Sequence, residues 1–371
     1  MHIIMTVNAA WNVWNFRRPL VAALLADGHR VTVLAPRDAA VPELEALGCR
    51  FIPLEMDVKG LNPMKDLRLM RRFKLHFQEE RPDAVLSFTI KNNIFGAMAA
   101  KRLGIPFIPN ITGLGTAFLS GGILQTIAEG LYWHAFRGLS VVFFQNEDDR
   151  NLFLRRKLVR ESQARLLPGS GIDLERFAIA EPPLSDQAST FLMIARLLRD
   201  KGALEFVEAA RKVKSFTPTA RFLLLGAIGS ENRTAIDAAT VEGWQTEGVI
   251  EYLGTAPDVR PHIAAAACVV LPSYLEGAPR TLIEAASMGR PLIATDVPGC
   301  RAVVEDGVTG FLCEARSGDS LARACMKFLA LGMDARQTMG IAGRRKMERE
   351  FDQAIVVAAY RDALAVVPAP S

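Results

Sequence analysis

Short apolar runs of four to seven residues alternate along the chain with longer stretches in which apolar residues recur every three or four positions. The runs predict buried strands and the periodic stretches predict amphipathic helices. In the first half, strands are expected at Ile3–Val7, Arg30–Ala35, Ala84–Phe88, Phe107–Asn110 and Val141–Gln145. Helices are expected between them, at Arg17–Ala26, Val41–Leu47, Lys65–Glu80, Ile94–Leu103 and Leu124–Phe136. A second alternation starts at Thr190–Ala195 and runs through Arg221–Gly226, Val249–Leu253, Cys268–Pro272, Pro291–Thr295 and Gly310–Cys313. Regular βα alternation means parallel sheets wrapped by helices, an α/β fold. The polar, Pro-rich stretch from Phe177 to Ser189 separates the two series and reads as a linker. The expected organisation is one domain over 1–180, a second over 181–350, and a C-terminal segment over 351–371 whose helical run is Gln353–Ala365.

Composition supports this division. At 371 residues, half of them hydrophobic, the chain is long for a single core and carries enough apolar residues for two. It has no run of about 18 uncharged apolar residues, so no membrane-spanning helix is expected. Met1–Val7 lacks the length and charged front of a signal peptide and reads as the first buried strand. The five cysteines show no CxxC spacing, which fits free thiols in a reducing cytoplasm.

Charge is unevenly spread. Residues 1–180 hold 23 Lys and Arg against 17 Asp and Glu, while the remainder holds 21 against 23. Within the basic half, Lys65, Arg68, Arg71, Arg72 and Lys74 alternate with Leu67, Leu69, Met70 and Phe73, and Arg155-Arg156-Lys157 with Arg160 form a second basic stretch. Such segments suit either the edge of an anionic membrane or a solvated helix face. No nucleic-acid motif accompanies the charge, so nucleic acid is not an expected partner.

The densest chemistry lies in Glu276-Gly277-Ala278-Pro279-Arg280-Thr281-Leu282-Ile283-Glu284. Two carboxylates flank a Gly/Pro turn at the carboxyl end of a buried strand, where open parallel sheets bind ligands. The turn feeds a helix N-terminus, whose N–H groups suit a phosphate. Both glutamates are placed to accept hydrogen bonds from sugar hydroxyls; as lone residues they would read equally well as helix-start charges. Arg196 and Lys201 lie just past another strand and are five apart, able to converge on a diphosphate. The loop after the first strand, Asn8 to Arg17, lacks the G-x-G-x-x-G of a dinucleotide-binding turn. There is no Asp-x-Asp pair and the five histidines do not cluster, so no metal or other cofactor is expected.

The Glu276–Glu284 segment, continued through Ala285-Ala286-Ser287-Met288-Gly289-Arg290-Pro291, resembles the E-x7-E donor signature of retaining family 4 glycosyltransferases. Ala195-Arg196-Leu197 and Lys201-Gly202 resemble that family's diphosphate-binding Arg and Lys. Lys91-Asn92-Asn93-Ile94-Phe95-Gly96 and the run from Asn110 to Phe118 resemble the bacterial branch acting on polyprenyl-diphosphate-linked sugars. The resemblance implies a GT-B fold, two Rossmann-like doubly wound domains facing a cleft, with the C-terminal helix crossing back to the first. It implies a retaining transfer of a hexose or N-acetylhexosamine from a UDP-sugar substrate to a polyprenyl-diphosphate-linked glycan, at the inner membrane surface by a peripheral cytoplasmic protein.

By the same resemblance, Glu276, Arg196 and Lys201 carry the catalysis. Glu276 contacts donor-sugar hydroxyls and Glu284 the ribose. Gly277, Ala278, Pro279, Arg280 and Thr281 surround the β-phosphate, Pro279 without an N–H to offer. Leu253 and Gly254 border the base. Arg280 departs from the small or polar residue often found at its place. Asn15, Arg17, Lys91, Asn92, Thr112 and Gly113 are the acceptor-side residues, with Lys91 on an acceptor phosphate. Competing readings are a UDP-sugar 2-epimerase of the same architecture, a catalytically silent nucleotide-sugar-binding protein, and a transferase to a soluble acceptor. The intact donor residues argue against the second, and the Lys91–Gly96 run against the third.

Overall fold

The computed structural model describes residues 1–58, 62–113, 122–183, 189–229, 232 and 234–366. The chain forms two compact units, Met1–Gly171 with Gln353–Ser371, and Ile172–Asp352.

The first unit is a seven-stranded parallel sheet of order β3-β2-β1-β4-β5-β6-β7. Its strands are β1 (His2–Thr6), β2 (Arg30–Ala35), β3 (Arg50–Pro53), β4 (Ala84–Ser87), β5 (Phe107–Ile111), β6 (Val142–Phe144) and β7 (Ala164–Leu166). The interleaved helices are α1 (Ala10–Ala26), α2 (Val41–Ala46), α3 (Pro63–Glu80), α4 (Ala97–Arg102), α5 (Gly122–Phe136) and α6 (Glu147–Arg155). The last helix, α14 (Gln353–Ala365), returns to this unit. Its Val356, Tyr360, Ala363 and Leu364 join α1, α2 and one face of the sheet in a single buried cluster. Tyr360 packs against Phe88 and Phe143, and its hydroxyl accepts from Asn110 Nδ2 at 3.0 Å. The opposite face is covered by α3 to α6 through Phe73, Phe77, Tyr132, Phe136 and Phe153.

The second unit has a six-stranded parallel sheet of order β10-β9-β8-β11-β12-β13. Its strands are β8 (Thr190–Ile194), β9 (Arg221–Leu225), β10 (Glu251–Tyr252), β11 (Cys268–Leu271), β12 (Leu292–Thr295) and β13 (Gly310–Cys313). Its helices are α7 (Ala203–Phe216), α8 (Ala238–Thr246), α9 (Arg260–Ala265), α10 (Arg280–Ser287), α11 (Pro298–Val303), α12 (Gly318–Leu329) and α13 (Met333–Glu350).

Counted within its own unit, the second sheet has the order 3-2-1-4-5-6, and the first has the same order extended by a seventh strand. The winding direction reverses between β1 and β4 in the first and between β8 and β11 in the second. Loops diverge at such a reversal and leave a crevice outside the strands' carboxyl ends.

The eleven predicted strands are all present, and among the described residues two more stand beside them. β3 and β7 are short sheet-edge strands with partly exposed residues, so they lack a continuous apolar run. Helix α1 begins at Ala10, seven residues before the predicted start at Arg17. The division between units falls after Gly171, before the predicted linker, because Ile172 and Phe177 already belong to the core of the second unit.

Candidate functional site

In the second unit, β8 and β11 are hydrogen-bonded neighbours at the reversal, so the loops that leave them lie side by side. This brings together residues 75 apart in sequence. Lys201 Nζ lies 2.5 Å from Glu276 Oε1, with side chains 24% and 13% exposed. The Lys201 loop is a 3-10 turn, Arg199–Lys201, ended by Gly202 at φ 78°. A Cβ at Gly202 would stand 2.0 Å from the Pro272 carbonyl oxygen, so this position is closed to other residues by both space and conformation. Hydrogen bonds to one backbone carbonyl lock the two loops together: Tyr274 N–H donates to Asp200 O at 2.9 Å, and the Ser273 side-chain Oγ donates to the same oxygen at 3.2 Å.

Glu276 is supported from below by α11. A Cβ at Gly299 would stand 2.3 Å from Glu276 O and 2.6 Å from Gly277 O, so the loop rests directly on a helix backbone. Beyond the loop, Pro279 precedes α10 and no side chain caps the helix. Thr281 Oγ1 donates to Ile194 O at 3.1 Å, pinning the first turn of α10 to the end of β8. Arg280 Nε donates to Glu284 Oε1 at 2.7 Å. Burial pushes the Glu284 carboxyl above its ordinary range, and Arg280 is the chief influence in the opposite direction.

Arg196 lies on the loop after β8, exposed, and forms no ion pair among the described residues. Leu253 and Gly254 follow the edge strand β10, where Gly226 N–H donates to Gly254 O at 2.7 Å. Thus Lys201, Glu276, Arg280, Thr281 and Glu284 gather around the carboxyl ends of β8 and β11, while Leu253 and Gly254 stand toward the sheet edge. Two cations and an uncapped helix N-terminus at a sheet reversal suit a diphosphate. Asp200, Tyr274 and Gly299 were missed by sequence reasoning. Their contributions are backbone bonds and close approach, which leave no mark on residue type except the glycine.

In the first unit the expected acceptor-side residues separate. Asn15 is exposed on α1. Arg17, expected to face a phosphate, is instead 4% exposed with its guanidinium 4.6 Å over the Phe88 ring. The reason is helical phase: with α1 starting at Ala10, Arg17 falls on the same face as Ala10, Val13, Leu20 and Leu24. Asn92, also expected at the acceptor, is fully buried at the reversal. Its Nδ2 donates to Thr6 Oγ1 and its Oδ1 accepts from Thr89, each at 2.7 Å, so it ties β1 to the end of β4 and has no surface for a ligand. Lys91 is half of an ion pair with Asp66 at 2.7 Å. Thr112 Oγ1 donates to Phe88 O at 3.1 Å, and Gly113 has φ 148°. The remainder of that motif, Leu114 to Phe118, lies outside the described residues.

Residues 188–330 match the model of the family "Glycosyl transferases group 1", and residues 13–169 match that of the "Glycosyl transferase 4-like domain". The chain is 26% identical to the N,N'-diacetylbacillosaminyl-diphospho-undecaprenol alpha-1,3-N-acetylgalactosaminyltransferase of Campylobacter jejuni, over 97% of each chain. It is 27% identical to the UDP-Gal:alpha-D-GlcNAc-diphosphoundecaprenol alpha-1,3-galactosyltransferase of Escherichia coli, over 75% of this chain and 72% of that one. Its fold is similar to that of the Anabaena protein HepE in complex with UDP, with a TM-score of 0.79 at 18% identity, covering 98% of this chain and 100% of the other.

Proposed function

The chain belongs to the group 1 glycosyltransferases and has their GT-B fold, and from that premise we propose a retaining transferase that moves a hexosyl or N-acetylhexosaminyl unit from a UDP-sugar to a polyprenyl-diphosphate-linked glycan. The observation that carries this reading is the meeting of Lys201 and Glu276 at the sheet reversal, beside the uncapped start of α10. Support for the donor comes from the UDP bound by HepE, and for the acceptor from the diphospho-undecaprenol substrates named for the two relatives.

In the proposed reaction the bond between the sugar C1 and the β-phosphate oxygen breaks. Negative charge grows on the departing diphosphate and is met by Lys201, Arg196 and the first N–H groups of α10. A resident metal is not needed, because these groups supply the positive charge. The acceptor hydroxyl bonds to C1 on the same face, and its proton passes to the leaving phosphate oxygen. Glu276, released from Lys201 by the incoming diphosphate, accepts from the donor-sugar hydroxyls, and Glu284 from the ribose. On the acceptor side, Lys91 exchanges Asp66 for a phosphate of the lipid carrier.

Peripheral attachment to an anionic cytoplasmic membrane surface is part of the proposal. Among the described residues no helix is long and apolar enough to cross a membrane. Helix α3, however, has Met64, Leu67 and Leu75 exposed at 63%, 39% and 57% on its outer face. Arg68, Arg71 and Lys74 share that face at helical spacing.

The test is to incubate the purified protein with UDP-, GDP- and ADP-sugars and a polyprenyl-diphosphate monosaccharide, and to detect extended lipid by mass. Extension with a UDP-sugar, abolished in an Arg196→Ala/Lys201→Ala double variant, is the expected result. Extension by that double variant at the wild-type rate would refute the assignment of the two cations.

A further inference from the structure

Arg280 is placed against the local physics of its helix. It opens α10, at the positive end of the helix dipole, where a cation is disfavoured. Its partner Glu284 lies four residues on, the less favourable order for a helical ion pair. Helix stability therefore does not account for this arginine. Its environment gives a different account. The pair is only 25% and 13% exposed, and the Arg280 Nε to Glu284 Oε1 bond is 2.7 Å long.

The other charged groups acting on Glu284 come from two separate segments. Arg176 precedes the linker, and Asp258 precedes α9. Asp258 is held by Arg260, with Nη2 to Oδ2 at 2.6 Å, and Arg260 Nη1 also donates to Arg176 O at 3.2 Å. Arg176 attracts and Asp258 repels, so their effects on Glu284 oppose each other. Arg280 is the group hydrogen-bonded to Glu284 among the described residues.

We propose that Arg280 is a positioning residue for nucleotide binding: by holding Oε1 it fixes the Glu284 carboxylate and leaves Oε2 to accept from a ribose hydroxyl of the donor. This rests on the donor-site reading given above. Burial alone drives Glu284 toward the protonated form, and Arg280 is the largest opposing influence. Removing the guanidinium lets Glu284 take up a proton more readily, and a neutral carboxyl accepts the ribose hydroxyl less well. Nucleotide affinity should then depend on pH, recovering as the pH rises and Glu284 ionises.

The experiment measures UDP binding by calorimetry between about pH 5.5 and 8.5 for the wild type and for Arg280→Gln, Arg280→Lys and Glu284→Gln, with thermal unfolding confirming that each is folded. Dideoxy-UDP, lacking both ribose hydroxyls, is run beside UDP. Arg280→Gln is expected to bind UDP about tenfold or more weakly at the acid end. It should recover toward wild type at the alkaline end and lose its preference for UDP over dideoxy-UDP at low pH. Arg280→Lys should restore much of the affinity. A loss in Arg280→Gln that is the same at every pH and for both nucleotides would overturn the proposal, because it would mean direct phosphate contact or misfolding. Wild-type affinity in Arg280→Gln at every pH would overturn it as well. If Glu284→Gln binds UDP as tightly as the wild type, the donor-site reading itself fails, and the proposal with it.

Discussion

Replacing Gly299 by alanine sets two effects of opposite sign against each other. Gly299 is the second residue of α11 and is not among the positive-φ glycines, so helix propensity alone would favour alanine by up to about 1 kcal/mol. Against this, the new methyl would stand 2.3 Å from Glu276 O, 2.6 Å from Glu276 C and 2.6 Å from Gly277 O. All three are backbone atoms and cannot swing aside as a flexible side chain would. Relief to an ordinary contact requires the Glu276 loop or the helix to move by roughly 1 Å, and overpacking of this kind costs about 1–3 kcal/mol. The contact therefore outweighs propensity, and the melting temperature should fall by roughly 2–10 °C. A displacement of about 1 Å at Glu276 should also lower sugar transfer by about a hundredfold. The assays are calorimetric unfolding and kcat/KM for lipid extension. Gly243→Ala, on α8 with nothing within 4 Å of the new methyl, is the control and should be neutral or slightly stabilising. A Gly299→Ala variant with wild-type melting temperature and kcat/KM would refute the claim that the loop rests on that backbone.

Three further outcomes are expected. Burial raises the Asp149 carboxyl from 3.8 to about 6, so its folded pKa lies above the unfolded one and wild-type stability falls as pH rises through that window. Asp149→Asn should therefore gain up to about 3 kcal/mol relative to wild type between about pH 4 and pH 8 in urea unfolding, and an equal difference at both pH values would refute this. All five cysteines are buried, with the Cys49 thiol pushed up to about 11 and Cys313 to about 12, so Ellman's reagent should label none in the native protein and five in denaturant; rapid native labelling would contradict it. Tyr360→Ala should cost about 3–5 kcal/mol through the cavity left among Phe88 and Phe143. Tyr360→Phe should cost only about 1 kcal/mol for the bond from Asn110, and similar losses in the two variants would show that the ring's packing is not what matters.

The central strands were legible because a strand covered on both faces is apolar along nearly its whole length, as β8 after Thr190 and β11 are. Edge strands β3 and β7 are partly solvated and escaped for the converse reason. The Glu276–Glu284 segment could be recognised from its spacing, but the bond between Lys201 and Glu276 could not. It depends on which strand lies beside which, and nothing in the residues between them states that β11 pairs with β8. Arg17 was misplaced through an error of phase: once the helix starts at Ala10, its side chain turns from the expected ligand to the core. Asn92 shows the limit of reading residue type, since the amide that would suit a sugar is used to join two strands.

The return of α14 to the first unit has a consequence for how the protein is made. The second unit is one continuous span, Ile172–Asp352, so all of its sequence has been synthesised before the last helix is. The first unit begins synthesis earlier but lacks Val356, Tyr360, Ala363 and Leu364 until the whole second unit has been made. Until α14 emerges and docks, the face bearing Phe88 and Phe143 lacks its cover, leaving apolar surface open to aggregation or chaperone capture. The domain whose synthesis starts first is therefore the one whose core closes last, and premature termination near residue 352 would leave the later domain complete and the earlier one open.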